Sequence, residues 1–163
     1  MASGRISEER LKIILASDHR GLAVRATILE YLQTLQEHTV VLVDGPQSDG
    51  ADYPDIAAKV ARSVSSGAAD RGILICGTGI GTCIVANKFP GIRAAPCHNE
   101  VVAELSRKHN DSNVLCLSGD LLGERSSVAI VAIWLSTSFE GGRHSVRLDK
   151  IRQLERANRV SIA

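Results

Sequence analysis

The sequence predicts an α/β protein, a three-layer α/β/α sandwich around a five-stranded parallel sheet. Two observations carry this. Short apolar, β-branched runs alternate with longer helical patterns from residue 12 to residue 158, the order that builds right-handed βαβ units. Hydrophobic residues, mostly Ala, Val, Ile and Leu, make up 44% of the chain and aromatics only 3%. That composition suits strands buried on both faces beneath helices. At 163 residues the chain is long enough for one domain with a full core.

The elements follow in order. Residues 12–17 (KIILAS) form the first strand, with Asp18-His19-Arg20-Gly21 as a polar loop at its carboxyl end. Residues 22–36 read as a helix, with Leu22, Ile28, Leu29, Leu32 and Leu35 near helical spacing. A second strand spans 39–44, and 45–52, rich in Gly, Ser, Asp and Pro, is a loop. Asp52-Tyr53-Pro54-Asp55 opens a helix that runs to about residue 65. The apolar run 73–75 reads as a buried strand ending at Cys76, and Gly77, Gly79 and Gly81 form the turn after it. A short helix at 82–88 is broken by Phe89-Pro90-Gly91, and 92–95 is the fourth strand. Asn99 caps a helix over 100–109. Residues 114–117 form the fifth strand and 126–136 an apolar helix containing Trp134. Glu140-Gly141-Gly142 turns into a charged final helix at 143–158. Residues 1–10 are expected to be a flexible tail, and 11–163 a single domain.

Several function classes lose support. A net charge of +1 gives no electrostatic case for nucleic acid or a membrane surface. No apolar run approaches a membrane span. The first ten residues lack the apolar centre of a signal peptide. The four cysteines, Cys76, Cys83, Cys97 and Cys116, contain no CxxC pair. Together these features read as a reduced, cytoplasmic protein.

The chemistry is expected around Cys76. A thiol at the carboxyl end of a strand, facing the start of a helix, is placed to become a thiolate. The glycines behind it free the backbone to present N–H groups. The spacing is GxGxG, neither a dinucleotide fingerprint nor a P-loop. Thr82 stands where a phosphatase loop has arginine. The alternative is a tight strand-to-helix turn with an inert core cysteine. His19 is suited to donate to a phosphate or sugar oxygen, or it simply caps the next helix. His109 and Asn110 close the fourth helix, where the dipole alone would favour a charged imidazole. Arg143 and Arg147, four apart on one helical face beside His144, are able to hold a phosphate together, or form a solvated basic face. No metal-ligand spacing is evident, and Cys97 and His98 read as core or surface.

Three segments, GILICGTGIGTCIVANKFPGIRAA, LSRKHNDSNVL and EGGRHSVR, are together similar to the ribose-5-phosphate isomerase B family, which also contains the galactose-6-phosphate isomerase subunits. The likeness runs from about residue 12 to 147. It implies a Rossmann-like fold, a homodimer or homotetramer, no metal or other cofactor, and interconversion of aldose and ketose sugar phosphates. Cys76 would be the base, with Thr78 and the backbone of Gly77, Gly79, Ile80 and Gly81 holding the developing enediolate. His109 would open the sugar ring, aided by Asp18 and Asn110, while His19, Arg143 and Arg147 bind phosphate. The chemistry agrees: isomerisation needs a base that can return its proton, oxyanion donors, and an acid/base group at the ring oxygen. The chain departs from the family at Asp120, where ribose-5-phosphate isomerases usually carry a phosphate-binding arginine. Asp120 is expected to accept hydrogen bonds from sugar hydroxyls or to pair with a cation, Arg125 being near in sequence. A non-catalytic phosphosugar-binding module on the same fold is the second reading. The apolar helix 126–136 predicts a homodimer, since a helix apolar all round must be covered on every side. In that dimer the final helix reaches the partner's glycine loop.

Overall fold

The computed structural model describes residues 10–43 and 52–160. The expected tail and the loop after the second strand therefore lie outside it, Arg10 and Asp52 excepted. Strands β1 (Lys12–Ser17), β2 (Thr39–Val43), β3 (Arg71–Cys76), β4 (Ala94–Pro96) and β5 (Val114–Ser118) form one parallel sheet in the order β2-β1-β3-β5-β4. The helices are α1 (Leu22–Thr34), α2 (Tyr53–Ser65), α3 (Ile80–Ala86), α4 (Glu100–Asn110), α5 (Glu124–Ser136) and α6 (Arg143–Val160).

Alternation along the strands divides the core in two. Ile13, Leu15, Ile73, Ile75, Leu115 and Leu117 face α1, α4 and α5, where they meet Ile28, Ile130 and Trp134. Ile14, Ala16, Leu74, Val114 and Cys116 face α2 and α3, against Ile56, Val60 and Ala86. By the same period of two, Cys76 follows Leu74 onto the α3 side. The chain leaves β1 for β2 on one side and later returns to place β3 on the other side of β1. That reversal opens a crevice at the carboxyl ends of β1 and β3, the place where open α/β sheets hold ligands.

Boundaries differ from expectation where turns intervene. His19–Gly21 is a single turn of 3-10 helix rather than loop. The helix α3 starts two residues before Thr82 because Gly79, at φ 77°, turns the chain directly into it. Strand β4 starts at Ala94 rather than Ile92.

The burial of α5 also departs from expectation. It packs against α1, α4 and the sheet within its own chain, and of its apolar residues only Ile133 is exposed. Other uncovered apolar side chains include Ile80 and Ile84 on α3, Val101 and Leu105 on α4, Leu121 in the loop after β5, and Val146, Ile151 and Leu154 on α6.

Candidate active site

At the carboxyl edge of the sheet, Cys76 is buried at the end of β3, with a carbonyl that accepts the Gly119 N–H at 2.7 Å. Its Sγ accepts the backbone N–H of Gly79 at 3.2 Å and lies 3.5 Å from the Thr82 hydroxyl. Gly79 occupies the left-handed region, and a Cβ there would meet the Leu117 carbonyl carbon at 3.0 Å, so only glycine fits. The buried Thr82 hydroxyl donates to the Gly79 carbonyl at 3.2 Å. The sulfur therefore sits against one backbone N–H donor and beside one hydroxyl. Thr78 is exposed, and its hydroxyl accepts the Ile80 N–H at 3.3 Å. Beside the loop stands Tyr53, whose ring would lie 2.5 Å from a Cβ at Gly81. The sequence reading did not single it out; its only signal was its place at the head of a helix.

Asp18 shares this edge. Its backbone N–H donates to the Ile75 carbonyl at 3.1 Å, and its buried carboxylate accepts the Arg20 N–H at 2.9 Å. That turn leaves His19 exposed at the mouth. Asp120 joins them from the loop after β5, its N–H donating to the Gly77 carbonyl at 3.1 Å. Its Oδ2 accepts from Arg20 Nη2 at 2.6 Å and from Nε at 2.9 Å, and its Oδ1 lies 3.2 Å from the same Nε. The cation is thus Arg20 rather than Arg125. This pairing of residues 100 apart raises the pKa of the Arg20 guanidinium, first through its hydrogen bond to Asp120.

His109 and Asn110 are not part of this cluster within one chain. They end α4 at the opposite, amino edge, immediately before β5 begins. The Asn113 carbonyl there accepts the Gly72 N–H at 2.9 Å, at the start of β3. Five residue steps along β3 separate the two edges, about 16 Å. The α4 terminus is pinned by Arg107, whose buried guanidinium reaches Asp111 at 2.7 Å and the Ser112 carbonyl at 2.6 Å. Ser112 in turn accepts the Trp134 indole N–H at 2.8 Å. A cavity of about 320 Å³ opens at this edge, lined by Asn110, Arg93, Leu148 and Ile151 among others.

The start of α6 completes the second cluster. Gly141 and Gly142 adopt positive φ, and the Gly141 carbonyl accepts the His144 N–H at 3.0 Å. His144 is buried, and its ring stacks on that of His109 with centroids 4.3 Å apart and planes 7° from parallel. Arg143 and Arg147 stay exposed beside it. Burial lowers the pKa of His144, with His109, Arg143 and Arg147 acting in the same direction against Glu140. Ligand atoms of His109, Glu140 and His144 lie within 4.8 Å of one another, a grouping hidden in the sequence by the gap between residues 109 and 140. The two imidazole planes are parallel, so their in-plane lone pairs run side by side instead of converging on one ion.

The other thiols are distinguished by surroundings. Burial raises Cys97 to about 11 and pushes Cys116 well up. Cys83 is shifted down by its hydrogen bond with Cys116. Cys97 packs in the core and His98 is exposed.

The fold and the crevice residues define an α/β protein with a buried thiol and a glycine-rich loop at the topological switch point. Residues 13–151 match the ribose/galactose isomerase family. The chain is 42% identical over 146 residues to ribose-5-phosphate isomerase B of Escherichia coli K12, covering 88% of this chain and 96% of that one. It is 38% identical over 145 residues to a D-erythrulose-4-phosphate isomerase of Pectobacterium atrosepticum, covering 89% and 95%. The crystal structure of Mycoplasma genitalium ribose-5-phosphate isomerase B with bound ribulose-5-phosphate superposes with a TM-score of 0.85 at 44% identity, covering 89% and 96%. The chain belongs to the ribose/galactose isomerase family. It is an isomerase of the class that interconverts aldose and ketose sugar phosphates.

Proposed function

We propose that the chain isomerises ribose 5-phosphate, or a closely related aldose phosphate, to its ketose in a site built from two copies of the chain. The observation that carries this is the Cys76 sulfur, buried beneath the Gly79 N–H and the Thr82 hydroxyl at the crevice. In the open-chain aldose the thiolate takes the C2 proton. The carbonyl oxygen becomes an enediolate oxygen held by N–H groups of the Gly77, Thr78, Gly79, Ile80 and Gly81 loop. The resulting thiol returns the proton to C1 while the O2 hydroxyl proton passes to O1, so that C2 becomes the carbonyl and C1 the hydroxymethyl of the ketose.

Ring opening falls to the partner subunit's His109, helped by Asn110 of the partner subunit and by Asp18. The partner's Arg143 and the partner's Arg147, with His19, hold the phosphate. Asp120 contributes through Arg20, which it holds across the loop. Two features support a dimer. The two half-sites lie at opposite edges of one sheet, so neither is complete alone. The exposed Ile80 and Ile84 flank the glycine loop, and Val101 and Leu105 are exposed on α4, apolar surface that a second copy would cover. Among the described residues no helix is long and apolar enough to cross a membrane, and the four thiols are free, which fits a reduced cytoplasmic setting. No cofactor is required by this chemistry.

The test is isomerase turnover on a panel of sugar phosphates together with hydrogen exchange from the substrate into solvent. Cys76→Ala should lose turnover by roughly 10²–10⁴-fold or more while still binding the ketose phosphate. Near-normal turnover in that variant would remove Cys76 as the base. Wild-type binding with no turnover of any sugar phosphate would leave a binding module.

A further inference from the structure

We propose that His144 is a positioning residue for ring opening: stacked flat on His109, it fixes the plane in which that imidazole meets the sugar. The inference rests on reading His109 as the ring-opening group.

The geometry separates the two rings by role. His144 is 4% exposed, whereas His109 is only half-buried. His144 is the ring held by the fold. Its backbone is fixed by the hydrogen bond to Gly141, and Arg143 Nε donates a long hydrogen bond to its Nε2 at 3.5 Å. Accepting that bond places the His144 proton on Nδ1. Glu140 Oε2 stands 3.7 Å from the same nitrogen, beyond hydrogen-bond reach. His109 lies in the last turn of α4, and its ring lies parallel to His144 at 4.3 Å. The face of His109 is thereby covered while its edge nitrogens remain the groups available to a substrate.

The chemistry needs that division. In ring opening the imidazole accepts the proton of the anomeric hydroxyl, the bond from the anomeric carbon to the ring oxygen breaks, and the ring oxygen takes up a proton. The imidazole alternates between neutral and charged, and no net proton is consumed. A stacked neighbour that also became charged would oppose the charged form. Burial, and the neighbouring His109, Arg143 and Arg147 after it, lower the pKa of His144 against the single carboxylate of Glu140, which favours its neutral form. A neutral aromatic face against an imidazolium is attractive. His144 therefore supports the working ring in both states without competing for its proton.

The experiment compares His144→Ala, His144→Phe and His144→Gln with His109→Ala in the full-length enzyme. Two readouts are taken: turnover of a cyclic aldose phosphate, and solvent exchange of the C1 hydrogen of the open-chain ketose. His144→Ala should lower kcat on the aldose roughly tenfold to a hundredfold, as expected for a misplaced catalytic group, with KM and ketose exchange within about twofold. His144→Phe keeps an aromatic ring to stack and should recover to within about threefold, while His144→Gln, polar but without a ring, should not. Equal loss of both readouts, unchanged aldose turnover, or recovery by Gln and not Phe would overturn the proposal; the Phe and Gln variants decide it if the Ala variant does not fold. His109→Ala keeps the two readings apart. If it fails to separate the readouts, the ring-opening reading of His109 is wrong. If it separates them and the His144 variants do not, only the role of His144 falls.

Discussion

Thr82→Val probes the thiol directly. Valine matches threonine in shape, so the buried site keeps its packing and loses only a hydroxyl. That hydroxyl donates to the Gly79 carbonyl at 3.2 Å and lies 3.5 Å from Cys76 Sγ. The Gly79 carbonyl also accepts the Cys83 N–H at 3.3 Å, so it is not orphaned, and the fold should lose only about 1 kcal/mol. When Cys76 ionises, the hydroxyl can turn its proton to the sulfur. A hydrogen bond to a charged group is worth about 1.5–3 kcal/mol. The long contact places this one near the lower end, and kcat/KM should fall about tenfold. That is well short of the loss from deleting the thiol. Thr82→Ser keeps the hydroxyl and should stay close to wild type. The assays are steady-state isomerisation and the alkylation rate of Cys76. The alkylation is run in a Cys83→Ser background, because the hydrogen bond with Cys116 also favours the Cys83 thiolate. Unchanged turnover and unchanged alkylation in Thr82→Val would refute the reasoning.

Other outcomes follow from contacts elsewhere. Asp120→Arg alone should not improve ribose 5-phosphate turnover, because it sets a second guanidinium against Arg20, whereas Arg20→Ala/Asp120→Arg should lower the KM; an improvement in the single variant would show that the Arg20 pair is a bystander. Stability to urea should decline as pH falls below about 6.5, the ordinary histidine value, because the unfolded chain takes up a proton there while buried His144 resists it until lower pH; His144→Phe should flatten that part of the curve. Asp111→Ala leaves the buried Arg107 without its carboxylate and should cost about 3 kcal/mol in urea unfolding, with a loss under 1 kcal/mol showing that the carbonyl contacts alone hold Arg107.

What could be read from the sequence was local. Strand, thiol and glycine turn are contiguous from residue 71 to 81, and the pattern of buried β-branched residues followed by glycines marks both the strand end and the loop. Asn99 was legible as a cap for the same reason, and its side chain accepts the Val102 N–H at 2.8 Å. The Arg20–Asp120 pair was not legible, because it depends on β1 and β5 presenting their loops side by side across β3. The His109–His144 stack depends on how α6 docks against the end of α4, which no periodicity encodes. The misreading of α5 has a simple cause. Its apolar girth is spent on α1, α4 and the sheet within one chain, while much of the uncovered apolar surface belongs to α3, α4 and α6. Distance along the chain also concealed that Cys76 and His109 stand at opposite edges of the sheet.

Subunit complementation tests the shared site most directly. Cys76→Ala and His109→Ala chains are each assayed alone, then co-expressed in equal amounts and purified together. If each site takes Cys76 from one chain and His109 from the other, a mixed dimer carries one intact site and one doubly defective site. Random pairing makes about half the dimers mixed, so the mixture should regain about a quarter of wild-type turnover. Turnover no higher than that of the separate variants would contradict a site shared between two chains.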